Sequence, residues 1–335
     1  MNLVKMHSKN SPQPENLIIE NVMKKLHYES YDTWVQNFAL NLQDIWKEDS
    51  ASILPNNTKA NSAVVIGRGP SLSNHNHLKM LAESDYKGAI VCCDGILSKA
   101  LDCGVTPEKF PEFYVVTIDP YEHIGKFYDQ EIVSKFGNKI KGIFSVITNP
   151  NAVEVARNTG IKIHWIHSLF DYDEGKKSFN QTSALMIRAK KHLHGLPAIQ
   201  TGGNVGTSSW FAGWRILKCS TVCLIGIDHS WNENDSWEKI VSHGRNIDPD
   251  RKHEFPNSTI DLLNQESLFK KVYNPFFKCT CILDPLFQFY SQALKEFILR
   301  SIDSVNTVNA TEGGSIFGQG ITCMTFKEFL KDFKN

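Results

Sequence analysis

Ala63-Val64-Val65-Ile66-Gly67-Arg68-Gly69-Pro70-Ser71-Leu72 decides the fold class. Four apolar residues, three of them β-branched, run without alternation into a turn holding two glycines and a proline. An uninterrupted apolar run of this length suits a strand buried on both faces, which is the habit of a parallel sheet covered by helices. The turn suits an abrupt passage from strand to helix, expected over about residues 74–84. Glycines let the backbone approach a ligand, and N–H groups at a helix start favour an anion. A plain strand–helix connection explains the same residues. The loop lacks the third glycine of a dinucleotide fingerprint and the Lys-Ser/Thr of a Walker loop.

Five further runs repeat the pattern. They are Ala89–Cys93, Phe113–Ile118, Gly142–Ile147, Ile161–Ile166 and Val222–Ile227. Four of the six strands are followed by Asp94-Gly95, Asp119, Asn149 or Asp228-His229. The expected fold is therefore α/β and Rossmann-like, a mostly parallel sheet with helices on both faces and polar groups along one rim. Ligands in such sheets bind beyond the carboxyl ends of the strands. Asp94, Asp119 and Asp228 at strand ends suit magnesium beside a diphosphate, ribose hydroxyls or proton transfer. Helix capping is the plainer role of each. His229 is the best placed of the 12 histidines for acid–base work. A second small-residue turn, Gly203-Asn204-Val205-Gly206-Thr207, precedes the apolar helix Trp210–Leu217. It serves either close approach to a phosphate or tight packing of helix on sheet.

The flanks organise around this core. Residues 1–60 read as a tail, one or two amphipathic helices over 16–48, and a linker. Residues 61–231 form the nucleotide-binding core. Residues 232–275 are polar and suit an insertion or lid. Residues 276–335 read as a helical part that completes the domain, with helices over Pro285–Ile302 and Thr325–Phe333.

Composition narrows the function. The chain has 335 residues, 41% hydrophobic and 21% charged, with 36 basic and 36 acidic side chains. A zero net charge gives no drive toward sequence-independent nucleic-acid binding. Cys92, Cys93, Cys219 and Cys223 sit in or beside apolar runs, as buried free thiols do, and the eight cysteines suggest no disulfide framework. The close pair Cys279-x-Cys281 is weak as a zinc signal. The polar start has no signal-peptide core and no run is long enough to span a bilayer, so a cytoplasmic protein is expected.

Taken in order, Gly67-Arg-Gly-Pro-Ser-Leu72, Cys93-Asp-Gly95, Thr117-Ile-Asp-Pro120, Gly203-Asn-Val-Gly-Thr207 and Leu224-Ile-Gly-Ile-Asp228 resemble the MptE-like domain family. That family includes the archaeal 6-hydroxymethylpterin diphosphokinase and the motility accessory factors, glycosyltransferase-like proteins tied to flagellin glycosylation. The resemblance covers about residues 60–232 and extends through Asn309-Ala-Thr-Glu-Gly-Gly314. The diphosphokinase branch implies an Asp-Leu-Asp-Gly segment for Mg²⁺ and ATP. Here that position reads Ile118-Asp119-Pro120-Tyr121, and the His-rich stretch that follows is replaced by Ile147-Thr-Asn-Pro150. The sequence is thus closer to the motility accessory factor branch.

The loop is also similar to the Gly-Asn-Gly-Pro-Ser-Leu loop with which bacterial sialyltransferases grip a CMP-sugar donor, with Arg68 in place of Asn. The resemblance implies a glycosyltransferase that uses a nucleotide-activated sugar, of nonulosonic-acid type, on a glycan or protein acceptor. Gly67, Arg68, Gly69, Pro70, Ser71, Asp94, Gly95, Asn149, Gly203, Asn204, Gly206 and Thr207 would bind nucleotide and phosphate. His229, Asp228 and Asp119 would serve catalysis, and Asn309, Glu312 and Gly313 would line the substrate pocket. This reading needs no metal or cofactor. The alternatives are a diphosphokinase using ATP and Mg²⁺, with Asp94, Asp119 and Asp228 as the carboxylates, and a nucleotide-binding module without catalysis.

Overall fold

All six apolar runs become neighbouring strands of one sheet. A computed structural model of the chain describes residues 14–57, 61–169, 173–174, 177–240 and 268–333. In chain order the strands are β1 (Asp49–Ser50), β2 (Ser62–Ile66), β3 (Ala89–Cys93), β4 (Phe113–Thr117), β5 (Lys141–Ser145), β6 (Lys162–Leu169), β7 (Asp173–Glu174), β8 (Lys177–Ser178), β9 (Ala198–Gln200), β10 (Thr221–Ile225), β11 (Trp231–Asn232), β12 (Lys270–Asn274), β13 (Cys279–Leu283), β14 (Asn306–Asn309) and β15 (Ile321–Cys323). Ten of them form the central sheet in the order β1-β6-β5-β4-β3-β2-β10-β14-β15, with β9 beside β6. Every pairing within it is parallel. Strands β2, β3, β4 and β10 are buried at every position, as strands covered on both faces must be. Cys92, Cys93, Cys219 and Cys223 are buried free thiols within this core.

The order carries the functional information. From β2 the chain winds outward through β3, β4, β5 and β6, then returns to place β10 on the other side of β2. The strand order reverses between β2 and β10, and the crevice beyond the carboxyl ends at such a reversal is where open α/β sheets bind ligands.

Ten α-helices complete the described chain: α1 (Pro14–Lys47), α2 (Ser71–Asn74), α3 (His77–Glu83), α4 (Leu97–Asp102), α5 (Glu131–Phe136), α6 (Pro150–Asn158), α7 (Phe179–Arg188), α8 (Val205–Phe211), α9 (Pro285–Arg300) and α10 (Phe326–Asp332). The expected helix over 74–84 is broken into α2 and α3, with Asn76 between them at φ 55°. The segment over 16–48 is one helix. The presumed linker after it instead supplies edge strand β1 and a 3-10 turn, Ala51–Asn57. The supposed helical end contributes β14 and β15 to the sheet. Their Asn- and Thr-rich sequences carry no apolar run, so their pairing is decided by the strand next door. Of the expected lid, residues 241–267 lie outside the described residues. Its end, β12, pairs with β13 in a small antiparallel sheet with β11.

Helix α1 is fixed to the rim by side chains, not only by apolar packing. Asn37 donates to the carbonyls of Pro120, at 2.8 Å, and Ile147, at 3.0 Å. One turn later Asn41 donates to Val146, at 3.2 Å, and Thr148, at 2.7 Å. Both amides are buried, and they serve loop carbonyls beyond β4 and β5 that no strand can reach. At the helix end Arg157 pairs with Glu48 at 2.9 Å and Asp44 at 3.1 Å. Replacing Asn41 by Ala leaves two buried carbonyls without these donors and is expected to destabilise the fold by roughly 1–3 kcal/mol. Urea denaturation checks this, and an unchanged midpoint would show that α1 is held by other means.

Candidate functional site

The reversal point is closed by a backbone zipper. Gly67 N–H donates to Ile225 O and Gly69 N–H to Gly226 O, both at 2.8 Å, so the loop after β2 continues the pairing of β2 with β10 beyond the strands. The Ser71 hydroxyl then donates to Asp228 Oδ2 at 2.8 Å. Two glycines permit this approach. A Cβ on Gly69 would sit 1.9 Å from Asp228 Oδ2, and Gly226 occupies φ +65°, where L side chains are strained.

This arrangement revises the expected phosphate cradle. The amides of Gly67 and Gly69 are spent on backbone carbonyls, and the anion beside Ser71 is the protein's own Asp228 carboxylate. Ser71 and Asp228 are both buried. Burial pushes Asp228 up to about 7, against the opposing pull of the Ser71 hydrogen bond. Asp228 thus braces the loop through Ser71.

The groups left to meet a ligand lie beside the zipper, over β2 and β3. Asp94 opens the 3-10 turn Asp94–Ile96 at the end of β3. Its Oδ1 accepts from Gly95 N–H at 2.7 Å. Its Oδ2 is buried and makes no well-formed hydrogen bond, although the Thr117 hydroxyl stands close enough to hold the carboxyl pKa down against the burial. Loss of solvent and then the nearby charge of Asp119 raise the pKa of Asp94. A buried carboxylate that keeps an acceptor oxygen in reserve at a sheet reversal is a mark of a binding site. Arg68, exposed at the tip of the loop, leans toward it. A Cβ on Gly95 would lie 3.4 Å from the Arg68 side chain and equally far from Phe127, and the Arg68 guanidinium sits 6.0 Å from the Phe127 ring centre. Asp119 is half-buried at the end of β4.

The opposite wall comes from the 203–207 turn, the β10 exit and α9. Asn204 caps α8, accepting from Thr207 N–H at 2.9 Å. Its amide donates to Thr207 Oγ1 at 3.1 Å. His229 takes a positive φ of 43°, a conformation that costs a non-glycine residue energy and clusters at functional sites. Ser315 holds it there: its N–H donates to Asp228 O and its hydroxyl to His229 O, each at 2.9 Å. The imidazole lies against Phe287 and Tyr290 of α9, with ring centres 6.2 and 6.1 Å away. Its Nε2 would be 3.7 Å from a Cβ on Gly206. Burial first and the charge of Asp119 next raise the Tyr290 phenol, which links this wall to the acidic one.

Arg68, Asp94, Gly95, Asp119, Gly203, Gly206 and His229 therefore share the carboxyl rim of β2, β3, β4, β10 and the turn before α8. Other expected residues point elsewhere. Asn149 caps α6, accepting from Asn151 N–H at 3.0 Å. Asn309 is buried and spent on its own loop, where it accepts from Thr311 N–H at 2.9 Å and Thr311 Oγ1 at 2.7 Å and donates to Ile316 O. Glu312 turns toward His77, at 3.2 Å, and caps α10 through Phe326 N–H at 3.1 Å. Gly313 adjoins open space. Tyr290, Phe287, Phe127 and Ser315 were missed. On α9 the aromatics read as an ordinary apolar stripe, and no local signal marks the two that face His229. Among the described residues, no group of three or more His, Cys, Asp or Glu side chains is arranged to hold a metal ion. Asp94, Asp119 and Asp228 thus form no common donor set. No described helix is long and apolar enough to cross a membrane.

Residues 36–234 match the family described as "6-hydroxymethylpterin diphosphokinase MptE-like". The chain belongs to the MptE-like family. Its fold is similar to that of the MAf glycosyltransferase from Magnetospirillum magneticum AMB-1, with a TM-score of 0.53 and 13% identity over 88% of this chain. The match spans 41% of that protein's length. No curated protein matches the sequence.

The buried Asp228 makes stability depend on pH. Its folded pKa lies above the ordinary 3.8, so folding takes up a proton. The associated stabilisation is complete below the unfolded pKa and is lost as pH rises through about 7. Asp228→Asn cannot titrate. Its stability relative to the wild type is expected to rise by about 1.4 kcal/mol per pH unit between roughly pH 5 and 7. Urea melts at several pH values read this directly, and parallel curves would show that Asp228 is not buried in need of its proton.

Proposed function

We propose that the chain is a transferase that binds a nucleotide-activated donor across the reversal between β2 and β10, and that it is a glycosyltransferase with a CMP-sugar-like donor of nonulosonic-acid type. The observation that carries the reading is Asp94, a buried carboxylate with an oxygen in reserve beside the exposed cation Arg68. A carboxylate at the end of the strand after a glycine-rich turn is suited to accept hydrogen bonds from ribose hydroxyls. Arg68 supplies the positive charge for the donor phosphate, in the role first expected of the loop amides. The MptE-like family and the fold shared with the MAf glycosyltransferase support a transferase over an unrelated nucleotide-binding protein.

In this reading His229 takes the proton of the acceptor hydroxyl as that oxygen attacks the sugar carbon. The bond from that carbon to the donor phosphate breaks, and the nucleotide leaves with its charge held by Arg68. Phe287 and Tyr290 fix the imidazole ring. Asp119 stands across the rim as a second acidic group toward the acceptor. His229→Gln is expected to lower turnover by about 10²–10⁴-fold while nucleotide affinity stays unchanged. An equal loss in affinity would make His229 a binding group instead.

One observation favours a second reading, a diphosphokinase. Asp94 and Asp119 are close enough for the charge of one to raise the pKa of the other, and two carboxylates with substrate phosphates suffice for Mg²⁺. Bound there, magnesium would neutralise the phosphates of ATP, with Asp94 and Asp119 as its protein ligands.

Calorimetric titration with CMP, CTP, ATP and GTP, each with and without Mg²⁺, separates the two. Cytidine nucleotides are expected to bind without the metal, and Asp94→Asn to weaken them by about tenfold or more, the worth of a hydrogen bond to a charged group. Because the Asp94 pKa is raised and the ionised carboxylate is the stronger acceptor for ribose hydroxyls, affinity should improve as pH rises, and Asp94→Asn should remove that slope. Magnesium-dependent ATP binding without cytidine preference would replace the glycosyltransferase by the diphosphokinase.

A further inference from the structure

Against α9 lies a cavity of about 860 Å³ between the helix, the β12–β13 hairpin and the loop before β15. Its volume is that of an ordinary small-molecule site. The lining is unlike that of the sheet rim. Lys295 projects into it with its ammonium 4.8 Å from the centre of the Phe317 ring. Phe289 adds a second ring, and Gln292, Gln319 and Ser291 add amide and hydroxyl groups.

The charge balance there is incomplete. Lys295 is half-buried, and burial lowers its pKa. No described carboxylate pairs with it. Glu296, which also lines the cavity, is tied to Arg300 instead. An ammonium drawn out of bulk water without an anion is unfavourable, and a ligand that brings the anion restores the balance. Aromatic faces beside amides suit a molecule with an apolar ring face and several hydroxyls.

We propose that this cavity is a binding site for an acidic sugar, its anion paired with Lys295 and its ring face laid against Phe317. The site is separate from the nucleotide rim but is coupled to it. Ser291, in the cavity wall, shares a 3.0 Å hydrogen bond with Ser315, and Ser315 holds the carbonyl of His229 at 2.9 Å. A ligand seated on Ser291 is therefore two hydrogen bonds from the strained residue of the other site. The proposal stands whether the rim binds CMP-sugars or ATP.

The test is equilibrium binding of glucuronate, glucose 6-phosphate and glucose to the full chain, followed by calorimetry and ligand-observed NMR. At least one of the two anions is expected to bind about tenfold or more tightly than glucose, a difference of one decade in Kd. Which anion prefers the site tells a carboxylate from a phosphate. Lys295→Met should abolish the preference and Lys295→Arg should keep it. Thermal melts will verify that both variants fold, and Phe317→Ala should weaken binding independently. Glucose binding as well as both anions, no binding by any of the three, or a preference that survives Lys295→Met overturns the proposal. Arg68→Gln, which removes the exposed cation of the sheet rim, should leave anion binding unchanged, and its loss in that variant would assign the anion to the rim and overturn the second site.

Discussion

The contact on which the rest depends is the pairing of the loop after β2 with the loop after β10. Two parallel strands that are far apart in sequence are joined by their ladder and then by the amides of Gly67 and Gly69 beyond it. The Ser71–Asp228 hydrogen bond closes the join. A side chain at position 69 would collide with Asp228, so the approach is open to glycine alone. Because this join sits where the strand order reverses, everything that flanks it is brought to one rim: Asp94 from β3, Asp119 from β4, the 203–207 turn and His229.

The join also engages two of the loop amides expected to meet a phosphate. A glycine-rich turn at the start of a helix offers amides to an anion, but here the backbone of the neighbouring loop takes them first. The carboxylate of Asp228 fills the place beside Ser71. In the proposed function, recognition falls to side chains next to the loop, of which Arg68 is the exposed cation and Asp94 the buried acceptor. Such a division suits a site whose ligand must enter and leave while the sheet stays fixed.

Helix α9 connects the two halves of the chemistry. Phe287 and Tyr290 lie against His229, while Lys295 lines the neighbouring cavity, and Ser291, one turn after Phe287, stands between the two. Helix α1 performs a similar service at the opposite end of the rim, where Asn37 and Asn41 satisfy carbonyls of the loops after β4 and β5. Neither helix belongs to the glycine-rich core, yet the site is bounded by both.

The sequence by itself determined the six central strands, their parallel arrangement and the carboxyl rim. Unbroken β-branched runs can be buried only between two layers, and Asp94, Asp119 and Asp228 each follow such a run directly, with His229 next after Asp228. It also marked Gly67, Gly69 and Gly203 as places of close approach, because a missing Cβ is a local property. Tertiary structure alone decided what approaches them. That Asp228 and not a ligand meets Ser71, that Asn309 and Glu312 turn into their own surroundings, and that Asn306–Asn309 is a strand all rest on partners far away in the chain. Tyr290 and Lys295 are five residues apart on one amphipathic helix, and only its orientation against the sheet sends one to each site. Local sequence sets which backbone shapes are possible; the hydrogen-bond partner across space sets which polar group is left for chemistry.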